Sequence, residues 1–95
     1  MALTHTASAP LSPLDIASHG PVIPVIVIDR VEDALPLARA LLAGGVKVLE
    51  VTLRTAAGLP AIEAIARHLP EAVVGVGTVL NADDARSASA AGARF

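Results

Sequence analysis

The stretch Val46–Leu53 has the sequence VKVLEVTL, and its valine, threonine and leucine content predicts a β-strand. Successive side chains of a strand point to opposite faces of the sheet. One face therefore carries the apolar residues Leu49, Val51 and Leu53. The opposite face carries an acid, a hydroxyl and a base in succession, within the series Val48, Glu50, Thr52 and Arg54. A sheet covered by helices on both faces rarely buries such a series, whereas the lumen of a parallel barrel accommodates it near the carboxyl ends of its strands.

Strand-like and helix-like segments alternate on both sides of this strand. Further strands are predicted over Val22–Ile28 and Ala72–Val79, and Ala93–Phe95 has the pattern of the start of a fourth strand. The predicted helices span Glu32–Ala43, Leu59–Leu69 and the alanine-rich segment from the N-cap Asn81 to Gly92. Because a helix follows each strand, we expect the strands to be parallel.

The number of these units sets the fold class. Eight βα units of roughly 25–30 residues form a (β/α)8 barrel of ~200–250 residues. The sequence therefore predicts an α/β fold, the N-terminal part of a (β/α)8 TIM barrel, with about three βα units and the start of a fourth strand. A doubly wound open sheet is the alternative, since it is built of the same units. Residues 1–20 are predicted to be a lead-in with a short helix capped by Ser12, and residues 21–95 the incomplete barrel domain.

The composition excludes several classes of protein. With 54% hydrophobic and 17% charged residues, the chain is unlike the charge-rich sequences that stay disordered. No apolar run reaches the roughly 18 residues of a membrane-spanning helix, and a net charge of −2 favours neither nucleic acid nor a membrane surface as a partner. Cysteine is absent and the histidines lack metal-ligand spacing, so we expect no metal and no cofactor. The N-terminus lacks signal-peptide features, which favours a cytoplasmic location.

Glu50 and Arg54 are the leading candidates for chemistry. An ionised carboxylate inside an apolar strand is costly unless it is paired, and a perturbed carboxyl group often indicates an acid–base site. The alternative is that an arginine or backbone donors satisfy Glu50 structurally. Arg54 lies about 13 Å further along the strand, where a guanidinium suits the carboxylate or phosphate of a substrate. The alternative for Arg54 is a solvated arginine at a strand end.

Thr78 is a further candidate for contact with a ligand, whereas Lys47 is not. Thr78 follows Gly75 and Gly77, whose missing side chains would let a ligand or a neighbouring backbone approach, although an ordinary strand threonine is the alternative. Lys47 is the only lysine in the sequence, and it lies at the start of the predicted strand. Barrel enzymes carry out their chemistry at the other end of the strands. Lys47 is therefore predicted to be a solvated side chain.

Three segments together resemble one enzyme family. They are Gly20–Ile28 (GPVIPVIVI), Ala43–Thr55 (AGGVKVLEVTLRT) and Glu71–Asn81 (EAVVGVGTVLN). In this order and spacing they are similar to the 2-dehydro-3-deoxy-phosphogluconate / 4-hydroxy-2-oxoglutarate aldolases. The resemblance implies a metal-free class I aldolase, a homotrimer of (β/α)8 barrels that cleaves the phosphorylated keto acid to pyruvate and glyceraldehyde 3-phosphate. Cleavage of 4-hydroxy-2-oxoglutarate to pyruvate and glyoxylate is the other candidate reaction.

The same resemblance assigns roles to three residues. It implies that Glu50 shuttles protons during carbinolamine formation, dehydration and carbon–carbon cleavage, and that Arg54 and Thr78 hold the carboxylate end of pyruvate. The Schiff-base lysine and the phosphate-binding loops of the family have no counterpart in the 95 residues, so the chain alone is predicted to be inactive. Two other hypotheses stay open: another phosphate-binding barrel enzyme, such as an epimerase or synthase, and a non-catalytic half-barrel module that self-associates through exposed apolar surface.

Overall fold

The computed structural model describes residues 11–95, and residues 1–10 of the predicted lead-in lie outside the described residues. The elements follow one another as α1 Pro13–Ala17, β1 Val25–Ile26, a 3-10 turn Val31–Asp33, α2 Ala34–Ala43, β2 Val48–Thr52, α3 Gly58–His68, β3 Val73–Gly77 and α4 Ala82–Ala91. Helices and strands thus alternate from β1 onward, as the sequence predicts. Over this range, no helix is long and apolar enough to cross a membrane.

The strands form a parallel sheet in the order β1-β2-β3. Glu50 of β2 pairs with Val25 on one side and with Gly75 on the other. The chain after α4 continues this ladder, because Arg94 N–H donates to the Val74 carbonyl over 2.8 Å and Val76 N–H donates to the Phe95 carbonyl over 2.9 Å. Sequential order with a helix between neighbouring strands is the topology of a (β/α)8 barrel segment.

The three longer helices pack on one face of the sheet. Their shared apolar core contains the buried residues Ala38 of α2, Ile62 and Ile65 of α3, Ala88 of α4, Leu49 and Val51 of β2, and Val74 of β3. A doubly wound sheet places its crossover helices on both faces. The one-sided layer therefore excludes the doubly wound alternative and leaves the opposite face, called the inner face below, as the barrel lumen.

Helix α1 packs against the amino-terminal end of the inner face. Ile16 is buried with Val48 and Val73, the first residues of β2 and β3, and Leu11 and Phe95 pack against this cluster. The helix begins at the predicted cap, where the Ser12 hydroxyl accepts a hydrogen bond from the Asp15 N–H. The inner face is therefore apolar where its strands begin.

Local capping signals place the helix ends close to the predicted positions. Helix α2 ends at Gly44, and α4 begins after Asn81, whose Oδ1 accepts a hydrogen bond from the Asp84 N–H over 2.8 Å. Gly92 ends α4 in the left-handed conformation that favours glycine. Strands β2 and β3 are each shorter than predicted by one or two residues at either end.

Strand β1 is shorter and more exposed than predicted. Only Val25 and Ile26 of the predicted Val22–Ile28 form a strand, and Val25 and Val27 are 57% and 45% exposed. The prediction of a strand buried on both faces is wrong for this segment. Pro24 has no N–H to donate to a ladder. Within residues 11–95, moreover, β1 is an edge strand. No second strand in this range lies beside its free edge to cover the side chains on its inner face.

Gly58, the first residue of α3, packs directly on the end of β2. A Cβ at Gly58 would overlap the Thr52 carbonyl oxygen and lie 3.3 Å from the Leu53 Cα. Because these are backbone atoms, we expect Gly58→Ala to lower the free energy of unfolding by about 1–3 kcal/mol, measured by urea denaturation. Gly44→Ala is the matched control, since a Cβ there meets only carbonyl oxygens at 3.5 and 3.6 Å. Equal losses in both variants would contradict this explanation.

The exposed valines of β1 predict that the 95-residue chain self-associates. Val25 and Val27 lie beside a strand edge that has no partner among residues 11–95, and unpaired edges promote association. We expect the double variant Val25→Thr, Val27→Thr to lower the average mass in light scattering. Leu14→Thr is the control, because Leu14 is 83% exposed on α1 and away from that edge. A wild-type chain that is a monodisperse, cooperatively melting monomer would overturn the expectation.

Candidate active site

Glu50, in the middle of β2, points to the inner face as predicted. Its chain neighbours Leu49 and Val51 are buried in the helix-packed core, while its carboxyl group lies over Gly77. A Cβ at Gly77 would be 3.0 Å from the Glu50 carboxyl carbon. Glu50 is half-buried, and its carboxylate forms no hydrogen bond or ion pair with the described part of the chain. The alternative in which an arginine or backbone donors satisfy it is therefore not observed there.

Two glycines of β3 make room for side chains on the inner face. Gly75 lies under the ring of Phe95, since a Cβ there would be 2.5 Å from the ring atoms. Gly77 lies under the Glu50 carboxylate. The sequence predicted close approach at these glycines without identifying what approaches. The structure shows that the approaching groups are side chains, one apolar and one acidic.

Arg54 and Thr78 meet at the carboxyl edge of the sheet. The Arg54 Nε–H donates a hydrogen bond to Thr78 Oγ1 over 3.1 Å. The terminal NH2 groups of this guanidinium have no partner within residues 11–95, and the threonine hydroxyl keeps its own proton to donate. The pair thus presents several N–H and O–H donors at one place, an arrangement that suits a carboxylate ligand.

Thr78 has an unusual backbone. Its φ is 58°, and it is the one non-glycine residue with positive φ in the described chain. A β-branched residue in the left-handed region is strained by roughly 1–3 kcal/mol. Strain of this kind concentrates at functional sites, where the surrounding structure enforces it. The ordinary strand threonine considered as the alternative for Thr78 would be extended, which this residue is not.

Thr55 anchors the chain directly after Arg54, and sequence reasoning missed it. Its hydroxyl donates to the carbonyl of Ile28, two residues after β1, and accepts a hydrogen bond from the Ala57 N–H over 3.2 Å. These bonds tie the β2–α3 loop to the segment that follows β1, which fixes the position from which Arg54 extends. The available signal was a threonine at a strand end before a small-residue turn, a common place for a hydroxyl-to-backbone bond.

Thr52 falls on the predicted polar face of the strand, and the sequence predicted no role for it. It is 1% exposed, and its hydroxyl has no hydrogen-bond partner within residues 11–95. Its neighbours Val51 and Leu53 both contact the helix-packed core. Since side chains alternate along a strand, Thr52 lies on the inner face with Glu50.

Lys47 lies far from this group of side chains. It is exposed and precedes β2, so it belongs to the amino-terminal end of the sheet, opposite Arg54 and Thr78. There it lines a surface groove together with Arg39 and Glu71. This placement agrees with the predicted solvated side chain. No group of three or more His, Asp or Glu residues suited to a metal ion occurs within residues 11–95.

Known proteins share both the sequence and the fold of this chain. The family model for KDPG and KHG aldolases matches residues 15–95. A 2-dehydro-3-deoxy-phosphogluconate aldolase of Pseudoalteromonas atlantica is 55% identical over 85 residues, which are 90% of this chain and 40% of the relative. The KHG/KDPG aldolase of Escherichia coli is 56% identical over 80 residues, or 84% of this chain and 38% of the relative. The chain thus spans about 40% of the length of the curated relatives it matches.

Solved structures give the same result. A KDPG aldolase of Legionella pneumophila, which holds pyruvate as a covalent carbinolamine intermediate, superposes with a TM-score of 0.85 at 49% identity. The match covers 90% of this chain and 41% of that structure. A 2-keto-3-deoxy-6-phospho-gluconate aldolase of Zymomonas mobilis superposes with a TM-score of 0.79 at 52% identity, over 85% of this chain and 39% of that structure.

Proposed function

We propose, since this chain belongs to the family of KDPG and KHG aldolases, that its residues form the proton-transfer and carboxylate-binding part of an aldolase. The proposed substrate is 2-dehydro-3-deoxy-6-phosphogluconate, which is cleaved to pyruvate and glyceraldehyde 3-phosphate. The second candidate is 4-hydroxy-2-oxoglutarate, which is cleaved to pyruvate and glyoxylate. The observation that carries the proposal is the common location of Glu50 and the Arg54–Thr78 pair toward the carboxyl ends of β2 and β3. A cytoplasmic homotrimer is part of the same proposal.

In this proposal Arg54 and Thr78 bind the carboxylate of the keto acid. The hydrogen bond between them holds the guanidinium against the threonine and orients both groups. A carboxylate accepts two parallel N–H bonds from a guanidinium more favourably than one, and the threonine hydroxyl supplies a third donor. Binding at this end fixes which substrate carbon lies nearest Glu50.

Glu50 is proposed to move protons. Its carboxylate removes the proton from the hydroxyl on the carbon that becomes the aldehyde. The electron pair of that O–H bond forms the carbonyl of the aldehyde, and the electron pair of the breaking carbon–carbon bond moves toward an imine on the pyruvate portion. The protonated Glu50 then returns this proton to the carbon that becomes the methyl group of pyruvate. A half-buried carboxylate with no partner in the described chain is available for both steps.

The amine that forms this imine is proposed to lie outside the 95 residues. Lys47 is the only lysine in the sequence, and it stands seven positions before Arg54 on the chain. At about 3.3 Å per strand residue, that separation is roughly 23 Å. A side chain at the amino-terminal rim of the strands does not reach a substrate bound at their carboxyl ends.

Trapping with borohydride tests the assignment of Lys47. We expect the 95-residue chain, incubated with pyruvate and sodium borohydride, to show no mass increase in intact-mass spectrometry, because no amine lies near the proposed carboxylate site. The Lys47→Arg variant is the control for background reductive alkylation. A stoichiometric pyruvate adduct on Lys47 of the wild-type chain, absent from the variant, would refute the assignment.

A chimera tests the proposed reaction. It joins residues 1–95 to the part of the Escherichia coli KHG/KDPG aldolase that follows its matched segment. We expect this chimera to release pyruvate from 2-dehydro-3-deoxy-6-phosphogluconate, followed by coupling to lactate dehydrogenase. Glu50→Gln should lower kcat by roughly 100- to 10,000-fold, the usual effect of removing a general acid–base, because the amide cannot take up the proton.

The matched control for this experiment is Glu63→Gln in the same chimera. Glu63 is an exposed glutamate on α3, on the helical side of the sheet. It should leave kcat unchanged. A chimera that is folded but does not cleave the substrate, or a Glu50→Gln variant with the wild-type kcat, would contradict the proposed function. Epimerisation of a sugar phosphate without pyruvate release would favour the alternative barrel enzyme.

A further inference from the structure

The Glu50 side chain leans along the sheet, away from the level of its own backbone. The register partner of Glu50 on β3 is Gly75. The carboxylate nevertheless lies over Gly77, since a Cβ there would be 3.0 Å from the carboxyl carbon and 3.2 Å from Cγ. Gly77 is about 6.6 Å further toward the carboxyl ends of the strands. No hydrogen bond or ion pair within residues 11–95 holds the carboxylate there, so its position depends on the atoms packed around it.

The Phe95 ring fills the space over β3 that is level with the Glu50 backbone. A Cβ at Gly75 would lie 2.5 Å from the ring atoms Cε2 and Cζ and 2.6 Å from Cδ2. Hydrogen bonds of the Arg94 N–H and the Phe95 carbonyl with β3 fix the backbone on this side of the strand. The room that glycine leaves at this level is therefore occupied by the ring and closed to the carboxylate.

Apolar side chains support the ring from the amino-terminal side. Phe95 packs against a buried cluster of three residues, Ile16, Val48 and Val73. Because the two valines precede Glu50 and Gly75 by two residues each, the ring lies between this cluster and the carboxylate. Removal of the ring would open a space over Gly75 into which water and the Glu50 carboxylate can move.

We propose that Phe95 is a positioning residue for Glu50, whose carboxylate it keeps one level nearer the Arg54–Thr78 pair by filling the space over Gly75. This inference rests on the proposed function. A keto acid bound by Arg54 and Thr78 lies toward the carboxyl ends of the strands, and proton transfer needs the carboxylate within hydrogen-bond reach of it. A carboxylate level with Gly75 would be displaced by roughly 6–7 Å. Phe95 itself exchanges no proton and forms no bond with the substrate.

Kinetics of the chimera test the proposal. We expect Phe95→Ala to lower kcat roughly 10- to 100-fold, because even a small misplacement of a catalytic group is costly. KM should stay within about twofold, since Arg54 and Thr78 are unchanged. The control is Ile16→Ala, which thins the same apolar cluster but leaves the ring over Gly75. It should lose stability in urea, as Phe95→Ala does, and keep the wild-type kcat.

A second substitution at Gly75 separates positioning from packing. Gly75→Ala alone places a methyl group where the ring lies, so it should impair the chimera. In the Phe95→Ala background, the same methyl group occupies part of the vacated space and blocks the displaced position of the carboxylate. There it should raise kcat severalfold. All values of kcat are compared at a temperature at which circular dichroism shows each variant to be folded.

Crystals of the 95-residue chain provide an arm that does not depend on turnover. The wild-type chain should hold the Glu50 carboxylate over Gly77. In Phe95→Ala, the carboxylate should move toward Gly75 or divide between the two positions. Where Phe95→Ala does not fold, Phe95→Leu takes its place in both arms. Leucine keeps an apolar contact with the cluster but covers less of the space, so the same changes should be smaller.

Several outcomes would overturn the proposal. They are a Phe95→Ala chimera with the wild-type kcat, an Ile16→Ala chimera with as large a fall in kcat, and a Gly75→Ala substitution that impairs the Phe95→Ala chimera further. Crystals of the Phe95→Ala chain in which the carboxylate stays fixed over Gly77 would also overturn it. A folded but inactive wild-type chimera contradicts the proposed function alone, and the crystals then decide whether Phe95 positions Glu50.

Discussion

The alternation of side chains along β2 is the constraint on which the rest of the molecule depends. Leu49 and Val51 must enter the helix-packed core, because burial of large apolar side chains is the main source of stability in a domain of this size. Because side chains alternate, placing these residues on one face also fixes which residues lie on the opposite face. Glu50 and Thr52 are consequently held on the inner face, where neither has a partner in the described chain. The packing that stabilises the fold is thus also what fixes the site.

Several residues of the candidate site are unfavourable for the local backbone structure in which they lie. Glycine at Gly75 and Gly77 weakens a strand, yet it provides the space into which Phe95 and the Glu50 carboxylate fit. Thr78 adopts a left-handed backbone that a β-branched residue resists. These features are concentrated at the carboxyl half of β2 and β3, whereas the amino-terminal half is filled by the apolar cluster around Ile16. The apolar cluster and the candidate site therefore lie at opposite ends of the strands.

The sequence was sufficient where a feature depends on nearby residues. The faces of β2, the caps at Ser12 and Asn81, and the end of α2 at Gly44 all follow from local pattern and side-chain chemistry. The exposure of β1 could not be predicted from its own apolar run, because burial depends on which elements cover it. Likewise, the positive φ of Thr78 and the Thr55 bond to the Ile28 carbonyl depend on strands that meet only in the folded chain.

The order of groups on the inner face also restricts how a keto acid could lie there. The donors of Arg54 and Thr78 stand at the carboxyl edge, the Glu50 carboxylate and the Thr52 hydroxyl lie one level further in, and the Phe95 ring over Gly75 borders the apolar end. A bound carboxylate would then sit at the mouth and the reacting carbons deeper, beside the acid. In the proposed function, this geometry would separate the charge that binds the substrate from the group that accepts its proton. Because the guanidinium is always charged, binding would not depend on the protonation state of Glu50, and the acid could change state during turnover while the substrate stays in place.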